Sequence, residues 1–409
     1  MAKANVYYFN PTCELAVANN SFSYMPPLLL QEMERDLAIL PFAFASDNDF
    51  VLTENLPSEG FLQQLNNAGF NLPTFCRLDN LEAMPSGSLG NIYPWGWSPA
   101  AHFKLKNLKE KCDPEFRISP VSSWQDEHQQ LFERSVSLNL LSEIVNQNPP
   151  DWFIDPSLIG KKVTSCDEIE LLLKKYSSIV IKAPMSSSGR GIQIIRKTKL
   201  SESNKQWISG VLRQQKYLVA EPFIEKLIDL SFQFKVLSNA EIEYLGYSIF
   251  KTNSNGQYNG TYIHPVLGNI LPGENTRNLE HMIATTASVL LRALKKSIYA
   301  EFHLGYLGVD ALVFKHYSKI RMQPCIEVNS RMNMGILSMF LEKKLHPDAK
   351  GKFKLFYGKP GEYLSFVMDK AKLNPIKFQD KQFYSGFIAL VEPTEEKKFG
   401  AYINLGTAR

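Results

Sequence analysis

Little in this chain points to thiolate chemistry, a disulfide scaffold or a membrane. Its 409 residues hold five cysteines, Cys13, Cys76, Cys112, Cys166 and Cys325, with no C-x-x-C pair among them. An odd, scattered set without metal spacing excludes a disulfide framework and a zinc ribbon, and fits reduced thiols in a cytosol-like compartment. The seven histidines show neither H-x-H nor H-E-x-x-H spacing, so zinc chemistry is not indicated, and His264 and His303 are expected to be structural. No apolar run approaches the roughly 20 residues of a membrane helix. Met1-Ala2-Lys3-Ala4-Asn5 leads into a polar-interrupted strand, not the apolar core of a signal peptide. The expectation is a cytoplasmic protein with no membrane partner. A charge excess is also missing: 45 Lys and Arg against 41 Asp and Glu leave only +4, too little for a dedicated nucleic-acid binder. Internal repeats and long low-complexity segments are absent as well. With 44% hydrophobic residues, the length allows two or three domains with sizeable cores.

The most informative feature present is a pair of strand-like stretches, Gly308-Val309-Asp310-Ala311-Leu312-Val313-Phe314 and Ile326-Glu327-Val328-Asn329-Ser330-Arg331. Period-two alternation puts Glu327, Asn329 and Arg331 on one face and Ile326 and Val328 on the other. A hairpin through Lys315–Lys319 would bring Asp310 to that face. Two carboxylates and an amide oxygen make an oxygen-only site suited to Mg²⁺ carrying phosphates, and Arg331 could hold phosphoryl oxygens. The alternative is an exposed amphipathic hairpin.

Upstream, Ser178–Pro184 reads as a strand ending at Lys182, followed by Met185-Ser186-Ser187-Ser188-Gly189-Arg190-Gly191 and a second strand, Ile192–Arg196. A Ser/Gly loop exposes backbone N–H groups with little bulk to block an anion. A strand follows the glycines, so this is neither a P-loop nor a dinucleotide fingerprint. Tyr217–Ile224 is a strand running into Glu221 and Pro222, where proline marks a reversal or hinge, and Asp229 follows. Each of these stretches, taken alone, also reads as an ordinary turn or surface acid.

Their order along the chain resembles the ATP-grasp family, in which two α+β subdomains close on Mg-ATP. The resembling region spans roughly 130–340, and Glu327-Val328-Asn329-Ser330-Arg331 is its most specific part. The resemblance implies that Lys182 contacts the α- and β-phosphates, and that Ser186, Ser187, Ser188, Gly189 and Gly191 fold over the β- and γ-phosphates. It implies that Glu221 with the backbone of Phe223 and Ile224 reads adenine, and that Asp229 holds the ribose. Asp310, Glu327 and Asn329 would ligate one or two Mg²⁺, with Mn²⁺ as an alternative, and Arg331 would face the transferred phosphoryl group. Arg134 stands where the family more often has a lysine, and a plain surface charge is the other reading there. Lys251 and Tyr258 lie where such enzymes often place substrate or γ-phosphate contacts.

The expected architecture is α/β of the α+β kind. It comprises an N-terminal α/β domain over 1–130, a small nucleotide subdomain over 131–220, a larger metal subdomain over 221–345 and a C-terminal extension over 346–409. Val6–Phe9, Ile39–Ala45 and Asp49–Thr53 read as strands, and Glu59–Ala68, Ser135–Val145 and Glu280–Ile298 as helices. Lys343–Lys359 reads as a lysine-rich solvated face. Asn10-Pro11-Thr12-Cys13-Glu14 and Pro94-Trp95-Gly96-Trp97-Ser98 invite a substrate-pocket reading, against a rigid packed loop for the tryptophans. The implied activity is a ligase joining a small-molecule or peptide carboxylate to an amine, or less often a thiol. A small-molecule kinase and a non-catalytic nucleotide-binding protein are the alternatives. A homodimer is an open expectation.

Overall fold

Three sheets organise the chain in the computed structural model, which describes residues 3–186, 191–253 and 256–406. The first is parallel, with strands β1 (Ala4–Tyr8), β2 (Phe50–Leu52), β3 (Thr74–Cys76) and β4 (Leu89–Pro94) in the order β3-β2-β1-β4. Helices such as Cys13–Asn19 and Glu59–Asn67 make the crossovers that parallel strands require. The second sheet is antiparallel, built from β5 (Lys161–Val163), β6 (Ile179–Lys182), β7 (Ile192–Ile195) and β8 (Leu218–Pro222) in the order β5-β8-β6-β7. Helices Cys166–Tyr176 and Glu202–Gln215 cover it, each capped by a serine side chain that accepts from the first turn.

The third sheet has nine strands: β9 (Lys226–Val236), β10 (Ile242–Thr252), β11 (Tyr258–Ile263), β12 (Gly305–His316), β13 (Lys319–Asn329), β14 (Lys350–Tyr357), β15 (Lys377–Gln379), β16 (Gln382–Ala389) and β17 (Phe399–Gly406). Their order is β13-β12-β9-β10-β11-β14-β17-β16-β15. Along β12 the residues Leu307, Val309, Ala311 and Val313 are fully buried against helices Thr276–Leu294 and Arg134–Asn146. The intervening Gly308, Asp310 and Leu312 therefore face the other way, as period two demands. The β12–β13 turn places Tyr317 and Ser318 at positive φ, the backbone of a two-residue hairpin turn matched to strand twist.

Several expectations are corrected. Ile39–Ala45 is not a strand: Leu40–Ala43 is a 3₁₀ helix with Pro41 in its first turn, fully buried. A short buried apolar run carries no periodicity to separate the two, and proline fixes φ near the helical value. Lys343–Lys359 is not merely a solvated face, because β14 lies within it and Phe353 is fully buried. Lys350, Lys352 and Lys354 simply occupy alternate positions of that strand. The Glu280–Ile298 helix runs instead over Thr276–Leu294, and Ile298–Phe302 is a separate short helix. Residues 346–409, read as an extension, supply β14 to β17 of the large sheet. Their Phe353, Phe383 and Ile403 share one core with Tyr7, Phe9 and Trp95 of the N-terminal unit. No helix among the described residues is long and apolar enough to cross a membrane.

Candidate active site

Asp310 and Glu327 are register partners across β12 and β13, and Gly308 is the partner of Asn329. The Asn329 amide donates to Asp310 Oδ2 at 3.1 Å. A Cβ on Gly308 would collide with the Asn333 amide and approach Gln233 Oε1 to 2.8 Å, so the close packing beneath the two acids requires glycine. Burial pushes the Asp310 carboxyl up to about 7; repulsion from Glu327 adds to this, while the Ser231 hydroxyl, the Asn329 amide and Arg331 oppose it.

Arg134, at the start of helix Arg134–Asn146, is a buried site residue and not a surface charge. Its guanidinium lies 3.0 Å from Glu327 Oε1 and donates to the Ala183 carbonyl at 2.6 Å and to Ser186 Oγ at 2.7 Å. It thereby ties the small sheet to the large one. Arg331 lies just beyond the end of β13 and not on the strand face. It donates from Nε to Glu14 Oε1 at 2.7 Å, from one terminal nitrogen to the Met332 carbonyl at 3.0 Å and from the other to Asn329 Oδ1 at 3.0 Å. Burial opposes its charge, but Glu14, Cys13 and Glu327 more than offset that and the net shift is upward. Burial also pushes the Cys13 thiol up, against the pull of Arg331.

Glu14 is the site residue that reading the sequence did not assign, although its cluster, Asn10–Glu14, stood out. The second such cluster meets the first here. Asn10 donates to the Gly96 carbonyl at 2.8 Å and accepts from the Gly96 N–H at 3.3 Å, and Met332 N–H donates to the Trp95 carbonyl at 2.7 Å. A Cβ on Gly96 would overlap Cys13 Sγ and sit 3.0 Å from Arg331 Cβ. The two tryptophans part company: Trp95 lines a cavity, while Trp97 packs against His102 at 4.5 Å.

That cavity, of about 370 Å³, joins Arg134, Ser186, Asp310, Glu327, Asn329 and Arg331. Phe250, Thr252 and Tyr258 also line it, with Thr252 Oγ1 donating to Asp229 at 3.2 Å. So do Phe9, Leu15, Leu30, Met33, Leu37 and Trp95, with Glu14 beside them. Lys182, Gly191, Glu221, Phe223, Ile224, Asp229 and Lys251 are not among its lining residues. Lys182 on β6 and Glu221 on β8 form their own ion pair at 2.5 Å, and Asp229 pairs with Lys226 at 2.5 Å. The Phe223 N–H is donated to the Ser178 carbonyl at 3.0 Å, which removes it from an adenine edge. Ser186 and Gly191 pinch the base of the Ser/Gly loop together; Ser187, Ser188 and Gly189 lie outside the described residues. His264 and His303 bond the Ala349 and Tyr306 carbonyls, at 2.7 and 2.9 Å, and do not line the cavity.

No family model matches the chain, and no curated protein does. Solved structures match it almost end to end. The biotin carboxylase complex with β,γ-ATP from Campylobacter jejuni is 12% identical, at a TM-score of 0.51, with 100% of this chain and 88% of that one covered. The biotin carboxylase domain dimer of Hydrogenobacter thermophilus 2-oxoglutarate carboxylase, with MgADP, ADP and bicarbonate, is 11% identical at 0.51, covering 99% and 87%. N5-carboxyaminoimidazole synthase of Aspergillus clavatus, with ADP and 5-aminoimidazole ribonucleotide, is 10% identical at 0.50, covering 99% and 94%. The chain therefore has the ATP-grasp fold, preceded by a parallel α/β unit. At such identities the likeness is one of fold, and the chemistry rests on the residues themselves.

Proposed function

We propose that this chain is an Mg-ATP-dependent ligase that activates a substrate carboxylate as an acyl-phosphate for attack by an amine. The observation that carries this reading is the cross-strand pair Asp310 and Glu327, opening with Asn329, Arg134 and Arg331 onto one cavity. Solved structures of the same fold that hold ADP or an ATP analogue support it.

The donor set fits Mg²⁺. Carboxylate and amide oxygens are hard ligands, and a carboxylate as desolvated as Asp310 gains from a cation at its side. The set consists of two carboxylates and an amide; among the described residues no group of three or more His, Cys, Asp or Glu is placed to hold a metal. Asp310, Glu327 and Asn329 would hold one or two ions, whose contribution when bound is to neutralise phosphate charge.

Lys182 would contact the α- and β-phosphates, shifting from its present pair with Glu221, and the loop from Ser186 to Gly191 would close over the β- and γ-phosphates. Glu221 and Ile224 would read adenine and Asp229 the ribose. Arg134 and Arg331 would hold the transferred phosphoryl group between them. A substrate carboxylate oxygen attacks the γ-phosphorus while the bond to the bridging oxygen breaks and ADP departs. The amine nitrogen then attacks the acyl carbon, phosphate leaves with the C–O electron pair, and the amine proton passes to solvent. No protein nucleophile is needed, and Cys13, the thiol beside Arg331, is held protonated by burial. Catalysis is positioning and neutralisation of two anions, in a cleft that excludes water from the acyl-phosphate.

The test is a screen of carboxylates with an amine mixture, following ADP and free phosphate. A ligase releases both together, and only when acid and amine are both present. A stable phosphorylated product without free phosphate would instead mark a kinase. A homodimer is part of the proposal, and light scattering on the purified chain decides it.

A further inference from the structure

The N-terminal unit lines the cavity with Phe9, Leu15, Leu30, Met33, Leu37 and Trp95, all apolar, and its charged lining residue, Glu14, is held by Arg331. Phe9, Leu30, Leu37 and Trp95 are fixed in place by burial, while Leu15 and Met33 are half-buried and face the open space. The cationic groups that line the cavity are already matched. Arg134 is paired with Glu327 at 3.0 Å and Arg331 with Glu14 at 2.7 Å. No lysine lines the cavity among the described residues.

This distribution discriminates between substrate classes. A phosphorylated or dicarboxylic acid would bring a second anionic group against a mostly apolar wall whose charged residue is the Glu14 carboxylate, with no unpaired cation among the lining residues to receive it. Burying such a charge unpaired is strongly unfavourable. An uncharged apolar body, by contrast, gains from every part of its surface that it buries there. Arg331 stands where the apolar wall meets the acids, with three of its five N–H groups used by Glu14, Met332 and Asn329. Its remaining N–H groups suit a single carboxylate.

We infer that the acid substrate is a monocarboxylate with an uncharged apolar body, aliphatic or aromatic. Its body occupies the wall from Phe9 to Trp95 and its carboxylate lies toward Arg331. The inference rests on the ligase reading and narrows it.

The experiment uses the full chain with Mg-ATP and hydroxylamine, which traps any acyl-phosphate as a hydroxamate whatever the natural amine is. The acids are hexanoate, 4-methylpentanoate, benzoate and 3-phenylpropionate, set against glutamate, succinate, phosphoserine and 3-phosphoglycerate. Hydroxamate from members of the first group, and at least tenfold less from every member of the second, is the expected result. Met33→Trp, which fills the space against the apolar wall, should raise KM for the preferred acid by about tenfold or more while the thermal shift with Mg-ATP stays as in the unaltered chain. Leu15→Trp serves as the second filling variant should Met33→Trp fold poorly. Hydroxamate from the charged acids only, none from any apolar acid in a chain that Mg-ATP does stabilise, or an unchanged KM in both filling variants would overturn the inference. Loss of the ligase reading looks different: no thermal shift with Mg-ATP at all.

Discussion

The Arg331 guanidinium donates to the Glu14 carboxylate at 2.7 Å, joining two residues 317 positions apart in the chain. The contact links the end of the β12–β13 hairpin to the first helix of the N-terminal unit, across the cavity lining. Both groups are mostly out of water, with side-chain exposures of 17% for Arg331 and 10% for Glu14, so each depends on the other.

Removing one partner of such a pair leaves an uncompensated charge, at a cost of about 3–5 kcal/mol. Glu14→Leu and Arg331→Met are each expected to lower Tm by several degrees. The double variant should lose much less than the sum of the two. Thermal unfolding of all four chains reads the coupling, and strictly additive losses would contradict it.

Gly96 holds its place by lacking a side chain. The new methyl of Gly96→Ala would meet Cys13 Sγ and press on Arg331 Cβ. The expected outcome is a fall in kcat of tenfold or more, with ATP affinity unchanged, because Arg331 moves while Lys182 and the hairpin acids do not. Steady-state kinetics separates the two effects.

Asp310 gives the pH dependence. Its folded pKa, about 7, stands above the roughly 3.9 of an exposed aspartate, so the fold disfavours the ionised form. Without metal, stability is therefore lost progressively as pH rises from about 4 to about 7, and the loss is complete above that. Asp310→Asn should match the parent chain near pH 4 and be the more stable of the two at pH 8 without Mg²⁺. A metal needs the ionised carboxylate, so Mg-ATP affinity should fall as pH drops below 7. Thermal scans across pH, with and without Mg-ATP, check both signs.

How much of this was legible before the structure depended on sequence distance and period. The β12–β13 hairpin was readable because alternation fixes which side chains share a face: Asp310 does lie across from Glu327, while Arg331, expected on the same face, lies just beyond the strand. Strands β6 and β8 were readable as short apolar runs closed off by Pro184 and Pro222. The Glu14–Arg331 contact was not, since nothing local to Asn10–Glu14 tells which distant strand it will meet. Lys343–Lys359 misled because a lysine at every second position of β14 resembles a solvated run. Ile39–Ala45 misled because its burial is complete on all sides, which erases periodicity.

Lys182 and Glu221 form a 2.5 Å pair outside the lining of the cavity, on the small sheet. If the lysine exchanges that partner for phosphate oxygens, Lys182→Met should weaken ATP binding by tenfold or more. Calorimetric titration with Mg-ATP is the check, and an unchanged Kd would remove Lys182 from the nucleotide site.

The most direct measurement compares the thermal shift of the parent chain and of Glu327→Gln under ATP with Mg²⁺ and under ATP with EDTA. The parent chain should gain several degrees with Mg²⁺ and far less with EDTA, while Glu327→Gln, unfolding normally by itself, should lose the Mg²⁺-dependent part. An equal Mg²⁺-dependent gain in both chains, or none in the parent, would contradict a nucleotide gripped through Asp310 and Glu327.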